Sequence, residues 1–126
     1  MSWQTPIFIS LGAIPGALSR YYVSIYLAQW LGGQFPFGTL FVNVTGAFVI
    51  GLFTTYLLDR AIAAPDLRLL VSVGFLGSYT TFSTYTLDAA NLWRVNGWVG
   101  VGYWLGSPVL GILGLQLGGL LAKNLP

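Results

Sequence analysis

Residues 21–58 carry no formal charge, and neither do residues 95–122. Arg20 and Asp59 bound the first run, and Arg94 and Lys123 bound the second. A helix that crosses a membrane needs about 20 predominantly apolar residues, and each run has room for one. Hydrocarbon supplies no water to pair with backbone N–H and C=O groups, so a chain that enters it is confined to helices or closed barrels. Composition agrees: 56% of residues are hydrophobic and 6% charged, against roughly 25% charged in a soluble domain. The expected class is an all-α integral membrane protein whose single domain covers residues 1–126.

Turn and charge punctuation divides the chain into four expected transmembrane helices. The first runs over about 5–30 and ends at Gly32-Gly33, and the second over about 37–58, between Pro36 and Asp59-Arg60. A polar link with Pro65 leads to the third, about 69–87 or slightly beyond. Asn91 to Gly97 reads as a loop, and the fourth span covers about 98–122. Trp3, Trp30, Phe35, Trp93 and Trp98 near these ends suit an interfacial aromatic belt. The first span lacks a basic leader and contains Arg20, so a cleaved signal peptide is not expected. Inner-membrane, multi-pass placement is.

The net charge of +2 is scattered, which argues against a nucleic-acid partner. Cysteine, histidine and glutamate are absent, which excludes disulfides, thiolate metal sites and the usual catalytic sets. With four spans, Arg60, Arg68 and Lys123 share one side and Arg94 lies on the other, joined by Arg20 if it reaches that interface, a small bias for setting orientation. Either the chain is simply poor in charge, or it inserts both ways and pairs with an antiparallel copy. Gly12 and Gly16, Gly102 and Gly106, and Gly114 and Gly118 are each four apart and permit close helix approach.

The third apolar stretch departs from the pattern. In Gly74-Phe-Leu-Gly-Ser-Tyr-Thr-Thr-Phe-Ser-Thr-Tyr85, glycines adjoin Ser78, Thr80, Thr81, Ser83 and Thr84. A helix broken at that depth must be buried in protein or line a polar cavity. The break frees carbonyls, which suit a hard monovalent cation where several converge. Phe82 and Tyr85 share a helix face, and the positive edges of their rings can flank an anion or simply fill a core.

Other spans add polar groups without net charge. Thr39 and Asn43 lie on one face of the second helix, and Asn43 offers two amide donors to an anion or to another helix. Tyr103 and Ser107 repeat the spacing in the fourth, ahead of Pro108, which frees a carbonyl near Trp104 that a hydroxyl can repair. Arg20, inside an apolar segment, either snorkels to the surface or sets a positive charge at a vestibule.

These residues together make the chain resemble the Fluc (CrcB) family of fluoride channels along all four spans. The matching motifs are Gly12-x-x-x-Gly16 with Arg20, Gly38-Thr-Leu-Phe-Val-Asn43-x-x-Gly46, Gly74-Phe-x-Gly77-x-x-Thr80-Thr-Phe-Ser-Thr84, and Gly102-Tyr103-x-x-x-Ser107. The resemblance implies a four-helix subunit in an antiparallel, dual-topology homodimer with two fluoride pathways. It makes Phe82 and residue 85 the pore aromatics and Asn43 an anion donor. It adds Thr39, Tyr103, Ser107, Thr81, Ser83 and Thr84 as polar-track candidates and puts Arg20 near a vestibule. It also implies one structural sodium ion, not transported, held by the carbonyls of Gly77 and Thr80 from both chains.

The chain departs from the family in having Tyr85 where a second phenylalanine is usual and Ser78 where glycine is frequent. The Tyr85 hydroxyl can donate to fluoride, fill the pathway or bond a neighbour; on sequence alone, Tyr85→Phe is expected to keep or raise flux. The function expected is passive fluoride export that lowers toxicity inside the cell. A proton-coupled dual-topology antiporter is the alternative, but it needs an intramembrane carboxylate, for which Asp88 is the one candidate. In a non-transporting assembly subunit, the polar residues would be packing alone.

Overall fold

A computed structural model describes residues 3–126. Helix α1, Gln4–Leu31, stops at Gly32, whose φ of 87° favours a residue without a side chain. Helix α2, Phe37–Asp59, starts behind Pro36. Helix α3, Pro65–Arg68, has its proline in the first turn, where the missing N–H costs nothing. It runs into a π-helical stretch, Leu69–Leu76, and a short turn, α4, Gly77–Tyr79. The backbone then extends at Thr80 (φ −86°, ψ 159°) and Thr81 (φ −151°, ψ 120°). Helix α5 covers Phe82–Val95 and α6 covers Gly97–Asn124. All described secondary structure is helical.

One loop is shorter than its composition implies. Asn91–Val95 belongs to α5, and Asn96 alone separates α5 from α6. Its side-chain oxygen accepts the N–H groups of Trp98 (3.1 Å) and Val99 (3.3 Å), so this residue caps the start of α6 directly.

Helix α6 lies along α2, and α1 lies along the π-helical stretch. Glycine makes both contacts possible. A Cβ on Gly118 would stand 2.0 Å from the Phe48 carbonyl oxygen, and one on Gly51 2.2 Å from that of Leu115. Gly12 and Gly16 meet the carbonyls of Leu70 and Phe75 in the same way, at 2.0 and 2.3 Å. Gly102 and Gly106 have open space instead, so this pair does not join helices within the subunit.

The outer surface is apolar: Trp98 is 88% exposed and Phe82 77%. Exposed apolar side chains on this scale call for lipid or a second chain rather than water. Helices α2 and α6 are each long and apolar enough to cross a membrane. Helix α1, with 28 residues, spans about 42 Å at the helical rise, more than a bilayer core requires.

Because the obstruction at Gly118 is backbone, a methyl group there cannot be accommodated by a rotamer change. Gly118→Ala is expected to lower stability by about 1–3 kcal/mol. Thermal unfolding in detergent, followed by tryptophan fluorescence, checks this; an unchanged midpoint contradicts the packing described.

Candidate functional site

The site begins with the extended Thr80-Thr81 backbone. In a continuous helix the Thr81 N–H would serve the Gly77 carbonyl. Here it donates to Asn43 Oδ1 at 2.7 Å, while Asn43 Nδ2 donates to the Thr81 carbonyl at 2.9 Å. One side-chain amide thus pairs both polar groups of one residue, as a neighbouring strand would. Thr81 also caps α5: its hydroxyl accepts the Thr84 N–H at 3.2 Å and donates to Thr84 Oγ1 at 3.0 Å. Ser83 Oγ is 3.4 Å from the same hydroxyl.

These bonds redirect two donors. The Thr81 N–H no longer serves Gly77, and the Thr84 N–H, bound to Thr81 Oγ1, no longer serves Thr80. The Thr80 N–H and hydroxyl both turn back to the Leu76 carbonyl, at 3.1 and 2.9 Å. Gly46 lets α2 come this close, because a Cβ there would lie 2.3 Å from Thr80 Cγ2.

A line of rings follows. Phe82 and Tyr85 have centroids 5.7 Å apart, and Tyr85 and Tyr103 have theirs 5.5 Å apart. The rings of Phe35 and Tyr103 meet edge to face at 5.5 Å, so Phe35 packs against this cluster. Phe82 is 77% exposed on the single subunit and Tyr85 only 6%. The Tyr85 hydroxyl donates to the Trp104 carbonyl. That carbonyl lacks its helical donor because residue 108 is proline. Of the three roles open to this hydroxyl, the structure has the bond to a neighbour.

Ser107 does not make that repair. Its Oγ and the Tyr103 hydroxyl are buried close to each other, and neither completes a hydrogen bond of good geometry within the protein. An unpaired buried hydroxyl is costly and marks a point where something outside the chain can bind.

The candidate residues border three open cavities, one of them, of about 290 Å³, lined by Asn43, Gly46, Gly77 and Thr80 among others. The other two hold most of the remaining polar candidates. The first of these, also of about 290 Å³, is lined by Asn43, Thr80, Thr81, Phe82, Tyr85 and Ser107 among others. Asn43 keeps one amide proton beyond its bond to Thr81. The second, of about 190 Å³, holds Arg20, Tyr21, Ser24, Thr39, Thr81 and Thr84. Thr81 borders both, so it stands between the two cavities at the break. Thr39 is not a free donor: its hydroxyl donates to Asp88 Oδ2 at 2.7 Å. Asp88 is therefore part of the wall of this region and not only the carboxylate an antiporter would need; its spacing of four from Thr84 is the sign in the sequence that it faces this way.

The family model for CrcB-like protein, camphor resistance (CrcB), matches residues 7–119. The chain belongs to the CrcB-like family. Among its relatives is a fluoride-specific ion channel FluC of Synechococcus sp. (strain JA-2-3B'a(2-13)), 50% identical over 123 residues, which cover 97% of this chain and 95% of the relative. Proteins of the same name from Trichormus variabilis (strain ATCC 29413 / PCC 7937) and Synechocystis sp. (strain ATCC 27184 / PCC 6803 / Kazusa) are 51% and 50% identical. These alignments cover 94% and 98% of this chain, and 88% and 96% of the two relatives. Membership of this family, with the apolar helices and the exposed apolar surface, identifies a membrane protein.

The Asn43 amide is thus a structural partner of the break before it is anything else. Asn43→Ala leaves both backbone groups of Thr81 unpaired and is expected to cost about 1–3 kcal/mol for each group that finds no other partner. Thermal unfolding of the purified protein measures this, and an unchanged midpoint contradicts the pairing.

Proposed function

We propose that the chain is a fluoride-selective channel that lets fluoride leave the cell passively across the inner membrane and so limits its toxicity. The relatives named fluoride-specific ion channel FluC, matched over nearly their whole length, support this reading and not the antiporter. The carrying observation in the structure is the pair of buried, unpartnered hydroxyls, Tyr103 and Ser107, beside the line of rings and the Asn43 amide. All three are neutral. Neutral donors replace an anion's hydration without holding it as a full positive charge would, which a conducting site requires.

In this mechanism Arg20 draws anions into the smaller cavity, where Thr84 meets them near the break; Ser83 lies next to Thr81 at the same point of the chain. Thr39, bonded to Asp88, fixes one wall instead of donating. The ion then passes the second Asn43 proton and the edges of Phe82 and Tyr85, with the Tyr103 and Ser107 hydroxyls alongside. The membrane potential drives it: about 2.3 kcal/mol per charge per 100 mV favours anion exit from a negative interior.

The working unit in this proposal is an antiparallel, dual-topology homodimer of four-span subunits, each third span broken in mid-membrane, with two pathways. Phe82, so exposed on one subunit, would reach its partner's pathway, and its exposure supports that reading. A sodium ion held by the Gly77 and Thr80 carbonyls of both chains fits the chemistry found here. Both have their helical donors redirected, within a break where the Ser78 and Tyr79 carbonyls also receive no backbone N–H from the described residues, and carbonyl oxygens suit a hard monovalent cation. The ion would neutralise carbonyls gathered at the centre of the assembly; it takes no part in fluoride movement.

Purified protein in liposomes with a potassium gradient and valinomycin tests the function. A fluoride electrode is expected to record rapid fluoride efflux with no proton gradient, and a chloride electrode none. Efflux that requires a proton gradient contradicts the channel reading. Asn43→Asp is expected to abolish fluoride efflux by placing a repelling charge beside the cavity; unchanged flux removes Asn43 from the route.

A further inference from the structure

Three groups meet where α5 touches α6. Pro108 has no N–H, so the Trp104 carbonyl has lost its donor; the Tyr85 hydroxyl supplies one; and Ser107, beside the proline, keeps a hydroxyl with no partner. A serine in a helix readily bonds a carbonyl three or four residues back. Trp104 is three back from Ser107. Ser107 is therefore the nearest competitor for the carbonyl that Tyr85 occupies.

We propose that the Tyr85 hydroxyl is a positioning group: by satisfying the Trp104 carbonyl that Pro108 leaves open, it keeps the Ser107 hydroxyl free to face the transported anion. The inference rests on the channel reading and adds a function for the one ring of the pair that carries a hydroxyl. Ser107 and Tyr85 line the same cavity as Phe82 and Asn43. With Tyr85 in place, the Trp104 carbonyl is satisfied and the Ser107 hydroxyl at that cavity remains a donor. Without the tyrosine hydroxyl, Ser107 turns to Trp104 and presents its oxygen lone pairs in place of its proton. This reverses the expectation from sequence that Tyr85→Phe keeps or raises flux.

A proline swap isolates the effect, because Pro108→Ala restores an N–H to the Trp104 carbonyl. Fluoride efflux is measured for Tyr85→Phe with Pro108 and again with Pro108→Ala, each relative to its own Tyr85 parent. One lost donor is expected to slow efflux on the order of tenfold with proline present, and to leave it close to its parent with alanine present. Tyr85→Phe in a Ser107→Ala background is also expected to change little, since the donor at stake is already gone. An equal loss in the Pro108 and Pro108→Ala backgrounds would show that the tyrosine hydroxyl acts on the ion itself and overturn the proposal. So would undiminished flux in Tyr85→Phe, or a further tenfold loss without Ser107.

Thermal unfolding of the same variants separates this proposal from the channel reading. Tyr85→Phe in a Ser107→Ala background, where no second hydroxyl can take the Trp104 carbonyl, is expected to lower the unfolding temperature with Pro108 and not with Pro108→Ala, whether or not the liposomes pass fluoride. Equal drops in both backgrounds overturn the assigned bond. Absent flux from the parent protein, with the unfolding pattern intact, defeats the channel reading alone and leaves the bond standing.

Discussion

The double hydrogen bond between the Asn43 amide and the Thr81 backbone is the constraint on which the site depends. An extended residue between two helical segments leaves an N–H and a C=O without helical partners, and in apolar surroundings both must be paired. Asn43 pairs them from α2. The same bond redirects the donor of the Gly77 carbonyl, while the Thr81 cap redirects that of Thr80. It also brings α2 against the break, where Gly46 leaves room for Thr80. The side chain that holds the break together also lines the cavity beside it.

The chemistry around this point is uncharged. The amide of Asn43, the hydroxyls of Tyr103 and Ser107 and the rings of Phe82 and Tyr85 carry dipoles or quadrupoles but no net charge. Charge stands at Arg20 in the smaller cavity and at Asp88, which holds Thr39 and lies close enough to Tyr103 to act on it. For the proposed channel this division makes sense: charge at the entrance raises the local ion concentration, and neutral donors within release what they bind. A carboxylate engaged by a threonine hydroxyl beside the entrance offers less support for a proton-exchange mechanism.

Much of the fold was legible because the signals are local. Charge-free runs and the punctuation at Gly32, Pro36 and Pro65 mark where helices stop and start. Gly12, Gly16 and Gly118 read as close-contact positions and are so. Legibility failed where a single side chain replaces a loop, as Asn96 does, and where a residue near a helix end turns inward, as Phe35 does. The widening to a π-helix over Leu69–Leu76 has no signal in the periodicity of so apolar a segment. The candidate site was legible as a set of residue types, not as a set of bonds. Thr39 read as a donor but is committed to Asp88; Ser107 read as a possible repair for Pro108, a task Tyr85 performs from another helix. Such pairings depend on which helices touch, and spacing within one helix does not carry that information.

The most direct test of the central claim is the reversal potential of the current in planar bilayers, with unequal fluoride on the two sides and an independent pH gradient. An uncharged passage conducting fluoride alone predicts reversal at the fluoride equilibrium potential, unmoved by the pH gradient or by added chloride. A reversal potential that follows the proton gradient contradicts that account, because charge movement would then be coupled to protons the proposed site has no means to carry.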